Sequence, residues 1–143
     1  MSGTTYSSNF PTLNPGGGAY YQGTLSAANN AYILKFSTAG IRKWATFYGG
    51  TGGETGGPIC SDGTNVWLSG GASSTNLPLL NPGGGAYFED TLKGTNIFIA
   101  KFNMAGVLKW ATYYGGGKLD EAYSLNSYGT CSGSCAPLIR CAS

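Results

Sequence analysis

The sequence predicts an all-β protein built from antiparallel four-stranded units, and three observations carry that prediction. Glycine supplies 25 of the 143 residues and aromatic residues 13%. That mixture weakens helices and suits twisted sheets joined by tight turns. Two long blocks each occur twice in the same order. Within each copy, short apolar stretches rich in β-formers are separated by glycine turns.

The repetition organises everything else. Leu13-Asn14-Pro15-Gly16-Gly17-Gly18-Ala19-Tyr20 returns as Leu80-Asn81-Pro82-Gly83-Gly84-Gly85-Ala86-Tyr87, 67 positions later. Lys43-Trp44-Ala45-Thr46-Phe47-Tyr48-Gly49-Gly50 returns as Lys109-Trp110-Ala111-Thr112-Tyr113-Tyr114-Gly115-Gly116, 66 positions later. One residue is therefore lost between the blocks, near 93–95.

Taken in order, Ser2, Gly3, Thr4, Thr5 and Tyr6 align with 69–73 and read as a strand. Stretches 31–36 and 41–48 form a hairpin about a turn at 37–40, with Gly40 at the position that tolerates positive φ. A short strand near 55–60, a turn at 61–64 and a strand over 65–69 make the next hairpin. Residues 76–95 read as a long connection whose prolines and glycines exclude a regular ladder. Stretches 97–102 and 107–114 close the copy as a hairpin about 103–106. One full unit is thus four strands, from about 54 to 116.

Four-stranded units at a constant period are the signature of a propeller blade. A period above 60 is long for one, and the connection accounts for the excess. The expected organisation is a partial blade over 1–50 (strands two to four) and a complete blade over 51–117. Residues 118–143 then hold the first strand of a further blade and a cysteine-rich tail. About two blades are present, with one split between the termini.

The recurring string Asn-(Phe/Leu)-Pro, Gly-Ala-Tyr, Ile-x-Lys-Phe and Lys-Trp-Ala-Thr-(Phe/Tyr)-Tyr-Gly-Gly, followed by Glu54 or Asp120, resembles the SBBP β-propeller repeat. The resemblance spans nearly the whole chain except the tail. It implies a propeller architecture and an extracellular or cell-surface setting in secreted bacterial proteins, and no catalytic residues. A closed propeller takes four to eight blades, so two leave edges open.

Where the copies are cut gives the main functional expectation. The first blade lacks its first strand. Asp120, Glu121, Ala122, Tyr123, Ser124, Leu125 and Asn126 align with 54–60 and form a spare first strand. The spare strand of one chain can complete the open blade of another. Such a contact is head-to-tail, and it closes into a ring or runs on as a filament or tube. The chain's expected partner is itself. The alternative is a module that binds a surface glycan or a protein, excised from a larger propeller.

Composition narrows the chemistry. The sequence has no histidine, which removes Ser-His-Asp and Cys-His catalysis. A non-enzymatic chain without cofactor or metal is expected. The adjacent acids Glu89 and Asp90 align with Gln22 and Gly23, which argues against a glycosidase pair. The Gly-rich stretch 49–54 resembles a calcium-binding repeat only singly, and Lys118 interrupts its second copy, so a turn is the preferred reading. The net charge is +2, and the eight Lys and Arg are scattered, so no nucleic-acid stripe exists. No apolar run nears the roughly 20 residues of a membrane helix. The start of the sequence shows no signal peptide, so any export signal would belong to a longer precursor.

Cys60, Cys131, Cys135 and Cys141 are disulfide candidates. Their even number and the low charge suit an oxidising setting, and three pairings are open. Trp44 and Trp110, Tyr48 and Tyr114, and Phe36 and Phe102 occupy matched positions and are expected to pack one blade on the next.

Overall fold

The computed structural model describes residues 1–127, and these are all-β. Strands β1 (Ser2–Thr5), β2 (Asn30–Phe36) and β3 (Arg42–Tyr48) form an antiparallel sheet in that order. Strands β4 (Glu54–Ser61), β5 (Asn65–Ala72), β6 (Asn96–Asn103) and β7 (Leu108–Tyr114) form a second. Both sheets are meanders, and neither closes on itself. The three hairpin turns coincide with the turn glycines of the sequence, with Gly40, Gly63 and Gly106 at φ 74°, 85° and 85°.

The two sheets repeat each other in detail. Ile33 faces Thr46 as Ile99 faces Thr112, and Lys35 faces Trp44 as Lys101 faces Trp110. A bulge occurs at the same place in each, between Lys35 and Phe36 and between Lys101 and Phe102. Along β6, buried and half-buried residues alternate over all eight positions, the period-two pattern of a strand between two different faces.

The core lies between the sheets. Ala31, Ile33, Trp44 and Tyr48 of the first pack on Leu68, Phe98, Phe102 and Tyr113 of the second. Tyr48 stands 5.1 Å from Phe98 and 5.9 Å from Phe102, and Trp44 stands edge-on to Phe102 at 5.3 Å. Each of these large side chains, fully buried, stabilises the fold by about 1.5–3 kcal/mol. Where β1 crosses β4, a Cβ on Gly56 would sit 2.0 Å from the Gly3 carbonyl oxygen. The sheets approach there to backbone contact. Ser2 Oγ donates to Gly57 O at 2.8 Å, and Gly56 N donates to Thr4 Oγ1 at 3.0 Å.

Within the single chain, three of the expected contacts are not made. Phe36 is 45% exposed and Tyr114 54%, so neither packs between sheets, while their counterparts Phe102 and Tyr48 are fully buried. Trp110 is half-buried against Trp67 rather than against the other sheet. Residues 120–126 carry no ladder in the single chain, where a bridge between Thr95 and Leu119 and a bond from Asp120 N to Thr95 O at 2.8 Å mark their start. A strand forms only against a partner, and the second strand of a further blade is not among the described residues. Cys131, Cys135 and Cys141 lie outside the described residues. Cys60, in β4, is half-buried.

Candidate functional site

The recurring Trp-Ala-Thr motif bolts the long connection onto the last strand of each sheet. Trp44 Nε1 donates to Tyr20 O at 3.0 Å, and Trp110 Nε1 to Tyr87 O at 2.8 Å. Ala45 exchanges backbone hydrogen bonds with Leu13, and Ala111 with Leu80. Thr46 Oγ1 accepts from Gln22 N, and Thr112 Oγ1 from Glu89 N, both at 2.8 Å. The sequence points to sheet packing for this motif and misses its clasping role. The clasping bonds go to main-chain groups, which leave no residue signature.

The Gly-Gly and the acid beyond it form a second repeated device. Glu54 is buried, and its Oε2 accepts from Gly50 N at 2.8 Å and Asn30 Nδ2 at 3.2 Å. Asp120 Oδ2 accepts from Gly116 N at 2.8 Å and Asn96 Nδ2 at 3.4 Å. The residue before each donor must be glycine. A Cβ on Gly49 would lie 2.2 Å from Glu54 Oε2, and one on Gly115 2.3 Å from Asp120 Oδ2. Each acid thus locks the turn by which the chain leaves one sheet. Among the described residues no group of three or more potential metal ligands comes together.

Burial beside this turn also affects the tyrosines. Burial, and then the charge of Glu54, pushes the Tyr20 phenol well above its ordinary value. Tyr48 is raised too, by burial first and then by Tyr20, Tyr113 and Glu54. Both stay neutral and serve as packing surface and donors. Tyr48 Oη donates to Pro78 O at 2.7 Å, across the boundary between the sheets.

The open surfaces lie at the two ends. At one end, β1 is an edge strand, and Phe36 and the 37–40 turn are uncovered. At the other, Tyr87 (52% exposed) lies 5.5 Å from Tyr114, and Trp110 stands edge-on to Trp67 at 5.9 Å. Lys101 Nζ rests 4.7 Å from the centroid of the Trp67 ring. Residues 119–123 lie along a groove with Gly56, Gly57, Gly70 and Gly71. There the Ala122 carbonyl oxygen comes within 3.3 Å of the position a Gly57 Cβ would take. Ser69 Oγ, the counterpart of Ser2 Oγ, is buried without a hydrogen-bonding partner among the described residues. Of the expected assembly residues, Tyr6, Glu121, Tyr123, Ser124 and Asn126 are exposed, while Ser2, Gly3, Thr4, Asp120, Ala122 and Leu125 are half-buried and Thr5 is buried.

Comparison with protein-family models and with curated proteins returned no match to this chain.

Proposed function

We propose that this chain is a non-catalytic structural subunit that assembles head-to-tail, with the two sheets acting as propeller blades of the SBBP type. One observation carries the reading. The first sheet has three strands where its repeat has four, and the segment equivalent to the missing strand, 120–126, stands without a ladder at the other end. Strand addition supplies the unpaired backbone groups of an edge with partners.

The register comes from the complete sheet. Glu54 faces Ala72, Thr55 faces Gly71 and Gly56 faces Gly70. Transferred by the repeat, Asp120 of one copy faces Thr5 of the next, Glu121 faces Thr4 and Ala122 faces Gly3. Three or four chains closing in this way make a ring of six or eight blades, and a rotation that does not close makes a tube or filament. The sparse charge and the absence of histidine suit an assembled, non-enzymatic role. Disulfides among Cys60, Cys131, Cys135 and Cys141 would then staple the object in an oxidising setting.

The test is a chain carrying Glu121→Pro, because its counterpart Thr55 faces Gly71 in the complete sheet and proline cannot donate to a ladder. Light scattering after size exclusion should show the unaltered chain as an oligomer and the variant as a monomer with the same circular dichroism. An unaltered chain that stays monomeric, or a variant that assembles equally well, sinks the proposal.

The binding-module reading is favoured by a different observation, the exposed Tyr87 beside the half-buried pair Trp67 and Trp110. Aromatic platforms of this kind stack on sugars or bury apolar side chains. A monomer whose tryptophan emission shifts with oligosaccharide would support it over assembly.

A further inference from the structure

We infer that the 37–40 turn of one copy docks on the Trp110 face of another, as the 103–106 turn docks on Trp44 within the chain. This rests on the assembly reading above and adds to it a second contact, distinct from the strand ladder.

The contact inside the chain supplies the template. Gly106 (φ 85°) passes so close over the first sheet that a Cβ on it would lie 3.2 Å from the Trp44 ring and 3.2 Å from Ala19 Cβ. Tyr20 N donates to Gly106 O at 2.9 Å. Lys35 Nζ donates to Met104 O at 2.6 Å. The turn is gripped by two hydrogen bonds to its main chain and one aromatic surface, so its side chains matter little beyond the glycine.

Every gripping group has a counterpart on the second sheet. Ala86 stands for Ala19, Tyr87 for Tyr20, Lys101 for Lys35 and Trp110 for Trp44. The first sheet carries the matching turn. Gly40 stands for Gly106, also with a left-handed backbone, at φ 74°. Thr38 stands for Met104 and keeps the carbonyl that the lysine would need. Gly106 is buried, whereas Gly40 is exposed and nothing lies within 4 Å of where its Cβ would be. The Trp110 face that would receive Gly40 holds Tyr87, which is 52% exposed. The molecule thus holds one filled joint and the two halves of a corresponding one.

Geometry supplies the test. The 3.2 Å between Ala19 Cβ and a Cβ on Gly106 is close to the roughly 3.5–4.5 Å that a disulfide spans. Chains carrying Gly40→Cys and chains carrying Ala86→Cys are mixed, oxidised and digested for peptide mapping. A chain carrying both Ala19→Cys and Gly106→Cys is the internal control. The expected result is a disulfide between positions 40 and 86 in the mixture and in neither sample alone. If the chains assemble and the control closes but positions 40 and 86 do not link, the docking is wrong while strand addition stands. If the unaltered chain never assembles, both fall.

Discussion

At the scale of single residues, the glycines facing a carboxylate are tightly constrained. Gly49 leaves room for the buried Glu54 Oε2 and for Asn30 Nδ2, which would lie 2.2 Å and 2.3 Å from a Cβ. Gly49→Ala should therefore expel the carboxylate from its hydrogen bonds and cost about 2–3 kcal/mol, the range for losing bonds to a buried charged group. Urea unfolding measures it, and an unchanged midpoint would refute the turn-lock. Asp62 makes a different prediction. The Asn65 amide N–H at 2.6 Å, then the Thr64 N–H at 2.8 Å and the Asn65 side chain at 3.2 Å, hold its carboxyl at about 2, below the ordinary 3.8. A depressed carboxyl stabilises the fold fully above its unfolded value and loses that contribution as pH falls through its folded one. The melting temperature should fall between about pH 4 and pH 2, and less steeply in Asp62→Asn. Parallel curves for the two proteins would show that the turn carries no such linkage.

At the scale of elements, strands and turns are readable because their causes are local. β-branched and aromatic residues mark β2, β3, β6 and β7, and glycine marks each hairpin turn. The triplets Gly16–Gly17–Gly18 and Gly83–Gly84–Gly85 read as loop, and all six residues adopt positive φ. Asn14 Oδ1 and Asn81 Oδ1 cap them by accepting from Gly16 N and Gly83 N. The unreadable part depends on partners far away in sequence. Phe36 and Phe102 occupy identical local settings, yet one is 45% exposed and the other fully buried, because burial here is decided by whether a second sheet lies on top. The same reason separates Tyr48 from Tyr114. The acid after Tyr-Gly-Gly stands out in both copies, but its neighbours in sequence do not name its role. Its recurrence at a fixed distance from a glycine pair is the one available signal of the turn-lock.

At the scale of the whole molecule, stability resides in the joint between the sheets. Phe98 belongs to the second sheet but packs on Tyr48 of the first, and it is wholly buried. Phe98→Ala should cost about 3–5 kcal/mol, as large buried truncations do. Tyr114→Ala, at the uncovered counterpart of Tyr48, should cost less than about 0.5 kcal/mol in a monomer, as most exposed substitutions do. Chemical denaturation of the two variants compares them directly, and equal losses would contradict the assignment of filled and unfilled faces. The glycine triplets have a further consequence at this scale. They project where nothing stands within 4 Å of a Cβ at any of their six positions. On one side an asparagine cap holds each triplet, and on the other a tryptophan clasp, so added length there disturbs neither sheet. An epitope or enzyme inserted after Gly17 or Gly84 would be carried outward twice per chain. In an assembly of the proposed kind, the repeat would then serve as a display lattice whose spacing is written into the fold.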